Sequence, residues 1–104
     1  MIILSAKDCK VLIEGGDVLA IDIREKYEYD SGNCGFKNIP MADLQSALQN
    51  HDRLKSIVLM CNSGKRAQAA GNLLEMELGF GHIIILENGI QGWKEMIDPT
   101  LVLE

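Results

Sequence analysis

Three short apolar runs, Val18–Asp22, Ser56–Met60 and His82–Leu86, are separated by stretches with helical spacing, and together they restrict the fold more than any other feature of this chain. Runs that are apolar at nearly every position suit strands buried on both faces, which is the situation in a parallel sheet covered by helices. Between the second and third runs, Ala67 to Leu78 places Ala67, Ala70, Leu74 and Leu78 on one helical face, and Gly79 supplies the stop. Between the first and second, Met41 to about Arg53 reads as a helix through Leu44, Ala47 and Leu48. Strands alternating with helices predict an α/β fold: an open, mainly parallel sheet with helices on both faces, in a single domain over residues 1–104.

The remaining segments fit that frame. Ser5-Ala6-Lys7-Asp8 resembles a capping box, with Ser5 as N-cap of a short helix that ends near Gly15-Gly16. Arg24 to Pro40 is polar, contains glycine and has no period, as expected of a long connection that carries function or wraps an edge. Gly89-Ile90-Gln91-Gly92-Trp93 leads into a last short helix that stops near Asp98-Pro99.

Charge and cysteine count exclude several functions. Ten Lys and Arg against fifteen Asp and Glu leave a net charge of −5, which argues against nucleic acid or an anionic membrane as partner. No apolar run approaches the length of about 20 residues needed to span a bilayer, and Met1 to Asp8 lacks a basic leader, so the expected location is the cytoplasm. Cys9, Cys34 and Cys61 are odd in number and widely spaced, which fits free thiols in a reducing compartment. With His51 and His82 isolated as well, no metal-ligand spacing appears, and neither a metal nor a cofactor is expected.

The segment Met60-Cys61-Asn62-Ser63-Gly64-Lys65-Arg66-Ala67 carries the chemistry. Cys61 leaves the carboxyl end of a buried strand, where open α/β sheets bind ligands, and enters a short polar loop that opens a helix. Loop amides and the unpaired N–H groups of the helix start can converge there, and the helix dipole adds partial positive charge. Such a spot favours a thiolate. Gly64 permits an unusual dihedral, and Lys65 and Arg66 add two cations. The competing explanations are plain ones: Cys61 as a small buried hydrophobe, Ser63 as an ordinary N-cap, and Lys65 and Arg66 as solvated first-turn residues. Against the last, cations oppose the dipole at a helix N-terminus, and a bound anion would remove the conflict.

Four motifs in order resemble the rhodanese family of single-domain sulfurtransferases. Val18 to Glu25 is similar to the family's strand ending in Asp-x-Arg-Glu, here Asp22-Ile23-Arg24-Glu25. Tyr27-Glu28 and Gly32 through Asn38-Ile39-Pro40 resemble the segment that follows it, Cys61-x-x-Gly64-x-Arg66-Ala67 the active-site loop, and Gly89 with Gly92-Trp93 the C-terminal element. Gly32 to Lys37 departs from the family's Gly-His-Ile-x-Gly-Ala, being without the histidine. The resemblance implies a rhodanese-like fold with Asp22 and Arg24 as a structural pair, and Trp93 reads as a core aromatic.

It also implies a thiosulfate sulfurtransferase-like reaction. Cys61 would be the catalytic nucleophile and carry a covalent persulfide, with Asn62, Ser63, Gly64, Lys65 and Arg66 binding the donor. The expected partners are a small anionic donor such as thiosulfate and a thiol, protein or cyanide acceptor, and the expected state is a monomer or weak homodimer. The alternatives are a non-catalytic rhodanese-like binding module and a cysteine phosphatase or arsenate reductase. The last places five residues between Cys and Arg, whereas four separate Cys61 from Arg66, a cradle suited to one sulfur atom and tight for a tetrahedral oxyanion. Cys34 is expected to fill space and not to resolve a Cys61 persulfide.

Overall fold

The three apolar runs become the centre of one parallel sheet. A computed structural model of the chain describes residues 1–103. Its elements are β1 (Ile2–Leu4), α1 (Ala6–Glu14), β2 (Val18–Asp22), α2 (Lys26–Ser31), β3 (Lys37–Asn38), a 3-10 turn (Met41–Asp43), α3 (Leu44–Leu48), β4 (Ser56–Met60), α4 (Lys65–Leu78), β5 (Ile83–Leu86) and α5 (Gly89–Met96). The five strands lie in the order β1-β5-β4-β2-β3, and every pairing is parallel.

Alternation along the strands divides the core between the two faces of the sheet. Ile21, Ile57, Leu59, Ile83 and Ile85 meet Leu44 and Leu48 of α3 and Ala67, Ala70 and Leu74 of α4. Val58, Met60, Ile84 and Leu86 meet Ala6 and Cys9 of α1 and Ile90 and Trp93 of α5 on the other face. Trp93 is a core residue, its ring edge-on to Phe36 at 5.3 Å between centroids. It belongs to the face opposite the one that holds Cys61.

Strand order fixes the place of the site. From β2 the chain passes outward to β3, whereas from β4 it passes the other way to β5, so the direction of winding reverses between β2 and β4. Open α/β sheets bind ligands beyond the carboxyl ends of strands at such a reversal. Asp22 ends β2 there, and Cys61 follows β4.

The segment from Arg24 to Pro40 departs from the aperiodic connection expected of it, since it holds both α2 and β3. Helix α2 buries none of its residues, so it has no apolar stripe to find. It is held by polar contacts: a capping box between Glu25 and Glu28 at its start, and Arg24 beneath it. Arg24 is 3% exposed and Asp22 fully buried, and they form an ion pair with Nη2 to Oδ2 at 2.8 Å. The remaining Arg24 donors reach the Glu28 carbonyl at 3.3 Å and the Gly32 carbonyl at 2.8 Å. A buried pair with its hydrogen bonds satisfied in this way defines geometry more than it adds stability. In the Gly32–Lys37 segment, Asn33 supplies the order, accepting from the Gly35 amide at 2.9 Å and donating to the Tyr29 carbonyl at 3.1 Å.

Other boundaries differ as well. The expected helix from Met41 to Arg53 is a 3-10 turn and a short α3 that ends at Leu48. Arg53 is the reason, because its guanidinium caps the carbonyls of Leu48, Gln49 and His51 and also reaches Leu78 at the end of α4. Strand β1 was not foreshadowed, since its three residues lie on the sheet edge, partly exposed, and are too short to show a period.

Candidate active site

The loop after β4 is built around the sulfur of Cys61. The residue is 1% exposed. Its Sγ accepts the Gly64 amide at 3.0 Å and the Ala67 amide at 3.4 Å, so two backbone donors converge on one atom at the start of α4. The N-cap of α4 is Gly64, with φ of +102°, and not Ser63, whose side chain is exposed and makes no cap bond. That left-handed dihedral turns the Gly64 amide towards the sulfur, and it strains any residue that carries a Cβ. Helix α4 thus begins at Lys65, two residues before the predicted Ala67.

Helix α5 holds the other side of the loop. The amides of Ile90 and Gln91 donate to the carbonyls of Cys61 and Asn62 at 2.8 and 3.3 Å, and the Gln91 side chain donates to Asn62 Oδ1 at 3.0 Å. Gly89 permits this approach. Its φ is +58°, and an added Cβ would lie 2.3 Å from the Cys61 carbonyl oxygen and 2.6 Å from the Asn62 carbonyl carbon. Helix α5 therefore fixes the two peptide planes from which the loop leaves the sheet.

The two cations expected to face a donor together differ in their surroundings. Lys65 is exposed and enters no salt bridge among the described residues. Arg66 is taken: its Nη1 and Nη2 donate to the two carboxylate oxygens of Glu28 at 2.8 and 2.9 Å. Hydrogen bonding from Arg66 holds the Glu28 carboxyl below its ordinary range, and the same bond raises Arg66, with the Cys61 charge adding to the rise. Sequence reasoning found Asn62 to Arg66 as a cluster but missed Glu28 and the Ala67 amide. Glu28 lies 38 residues from Arg66, and no local pattern joins them.

Burial favours the protonated form of the other two thiols. Burial, with repulsion from Asp8, pushes Cys9 up from an ordinary 9.0 to about 11. Burial, with repulsion from Asp22, pushes Cys34 up to about 12. Cys34 packs against Met60, Sγ to Sδ at 3.8 Å, on the face of the sheet opposite Cys61. Among the described residues no group of three or more His, Cys, Asp and Glu is placed to hold a metal ion, and no helix is long and apolar enough to cross a membrane.

These two thiols make a pH prediction. In the unfolded chain both lose their protons near 9.0, but in the folded protein only near 11 and 12, so above pH 9 the unfolded state binds fewer protons. Their effect on stability is therefore constant below that pH, and stability falls as pH rises through the window. A urea-denaturation series from neutral to alkaline pH should show this fall, and a Cys9→Ala/Cys34→Ala variant should show a shallower one. Equal slopes would contradict the assignment.

The sequence profile of the Rhodanese-like domain matches residues 5–96, spanning α1 to the end of α5. The chain belongs to the rhodanese-like domain family. A rhodanese-related protein from Thermoplasma volcanium has a similar structure, at 31% identity with a TM-score of 0.81 and all of each chain covered. The human single-domain sulfurtransferase TSTD1 shares the rhodanese fold at a TM-score of 0.80, with 24% identity over 89% of this chain and 95% of that one. A tRNA uridine(34) hydroxylase from Legionella pneumophila (strain Corby) is 29% identical over 93% of this chain, which spans 41% of that protein's length.

Proposed function

We propose that this rhodanese-like domain is a sulfurtransferase in which Cys61 takes the sulfane sulfur of thiosulfate or a persulfide and passes it to a thiol or cyanide. The observation that carries the reading is the convergence of the Gly64 and Ala67 amides on Cys61 Sγ at the N-terminus of α4. Preorganised N–H donors and a helix dipole stabilise negative charge on sulfur without a general base. No histidine takes that role, since His51 packs against Phe80 and His82 precedes β5.

The thiolate attacks the outer sulfur of the donor, the remainder leaves with the bonding pair, and a Cys61 persulfide results. An acceptor thiol or cyanide then removes the outer sulfur and restores the thiolate, which gives ping-pong kinetics. The proposed cycle calls for no cofactor, the persulfide being its covalent intermediate. Asn62, Ser63, Gly64 and Lys65 form the mouth of the loop through which the donor approaches. Because Cys61 is nearly enclosed, a terminal sulfur atom can reach it more easily than a tetrahedral phosphate. Three free cysteines suit a reducing compartment, and we place the protein in the cytoplasm. The tRNA chemistry named for the Legionella relative is not carried over, because the chain spans under half of that protein and its net charge of −5 opposes a phosphate backbone.

Mass spectrometry of the intact protein after incubation with donor tests the reading. One added sulfur atom is expected, mapped to Cys61, lost on addition of cyanide with release of thiocyanate. A protein that takes up no sulfur from either donor would instead be a binding module, and uptake only at Cys9 or Cys34 would remove Cys61 from the mechanism.

A further inference from the structure

The pairing of Glu28 with Arg66 is the feature of the site that sulfur transfer as written does not require. Both prongs of the Arg66 fork, the arrangement that grips an oxyanion, are occupied by Glu28 oxygens at 2.8 and 2.9 Å. Glu28 is anchored from behind. Its carbonyl accepts from Arg24 at 3.3 Å, and its Oε1 also accepts the Glu25 amide at 3.1 Å in the capping box of α2. Its side chain is the more enclosed of the two, 19% exposed against 39% for Arg66. The pair therefore spans the reversal of winding, joining the helix after β2 to the helix after β4. Exposed Glu25 adds a second negative charge within electrostatic reach of Arg66. The formal charges of Glu25 and Glu28 offset those of Lys65 and Arg66, leaving the α4 N-terminus as the remaining positive field.

The two donor classes differ in the charge they bring to this site. With thiosulfate, the Cys61 thiolate meets a dianion. A bond forms from Sγ to the outer sulfur, the bond from that sulfur to the sulfite group breaks, and sulfite leaves with the electron pair. Three negative charges are present before and after, and no proton is needed. With an organic persulfide anion, R–S–S⁻, the same bond forms, the bond to the inner sulfur breaks and R–S⁻ leaves, so the site carries only two negative charges. In both cases the sulfane sulfur changes partner without net oxidation.

Resting on the sulfur-transfer reading, we infer that Glu28 selects the donor: by occupying Arg66 it disfavours dianionic thiosulfate and tunes the site to thiol-borne persulfides. Glu28 acts through Arg66 and is a positioning and specificity residue. Glu28→Gln is the informative change, because the amide oxygen can keep the cap to Glu25 and one bond to Arg66 while the negative charge is lost.

Two measurements decide the matter. In the first, thiosulfate is titrated calorimetrically into Cys61→Ser protein and into Cys61→Ser/Glu28→Gln protein, so that no turnover occurs. Removing one negative charge beside the binding site should tighten thiosulfate binding by about tenfold or more. An unchanged or weaker affinity overturns the inference whether or not the domain transfers sulfur. In the second, persulfide formation on Cys61 is followed with thiosulfate and with the persulfide of an uncharged thiol, 2-mercaptoethanol, as donors. Glu28→Gln should lower the KM for thiosulfate by about tenfold and change that for 2-mercaptoethanol persulfide by less than about threefold, and Glu28→Asp should retain the native preference. Equal changes for both donors would mean that the pair is only structural. Absence of loading from either donor would sink the sulfur-transfer reading, and the calorimetric comparison would still decide the role of Glu28.

Discussion

Cys61→Ser is expected to reduce sulfur transfer to the uncatalysed background, with either thiosulfate or a persulfide as donor. The nucleophile is the only covalent catalyst in the proposed cycle, and a serine hydroxyl has no base beside it and cannot form a sulfur chain. The fold should survive. Serine is slightly smaller than cysteine, and its oxygen can accept the Gly64 amide that now donates to Sγ at 3.0 Å. A satisfied buried hydroxyl costs about 1–2 kcal/mol, which leaves most of the stability of a domain of this size in place. The check is thiocyanate production beside a thermal melt of the same preparation. Turnover that persists in the folded serine variant would remove Cys61 from the mechanism.

Gly89→Ala should damage both stability and activity, although the residue does no chemistry. The added Cβ would lie 2.3 Å from a backbone oxygen, that of Cys61, and no side-chain rotation relieves a clash with main chain. Either α5 or the loop after β4 must move, and the bonds from Ile90 and Gln91 to the Cys61 and Asn62 carbonyls would stretch or break. Strain at a positive φ together with overpacking gives an expected loss of about 3 kcal/mol or more, equivalent to a fall in Tm on the order of 10–25 °C for a domain this small. Whatever fraction remains folded should transfer sulfur slowly, because the amides that converge on Sγ depend on the displaced peptide planes. Gly81→Ala is a matched control. Its added Cβ meets nothing within 4 Å, so its cost should stay within roughly 0.5 kcal/mol. A Gly89→Ala protein with native Tm and native turnover would show that the contact between α5 and the loop does not shape the site.

The same contact explains why the C-terminal glycines were visible in the sequence while their purpose was not. Gly89 stood out as part of a recurring element, but its need for a missing Cβ comes from Cys61 and Asn62, which reach it only because β4 and β5 lie side by side. Glu28 is a sharper case. In the sequence it is one acidic residue in a polar stretch, and only the parallel pairing of β2 with β4 brings α2 beside the start of α4. For that reason the sequence showed Lys65 and Arg66 as two cations at the loop without the partner of Arg66, and showed Arg24 to Pro40 as an aperiodic connection without α2 and β3.

By itself the sequence determined the parallel α/β architecture, the three inner strands, the buried face of α4 and Cys61 at a strand's carboxyl end. These follow from hydrophobic periodicity and local turn chemistry, which act over a few residues and are written in consecutive positions. Tertiary structure alone decided which edge strands join the sheet, that Gly64 and not Ser63 opens α4, that Arg53 ends α3, and that Arg66 is held by Glu28. Each of these depends on hydrogen bonds or ion pairs between groups whose distance is set by strand order, and a carboxylate or a guanidinium carries no local sign of the partner it will meet.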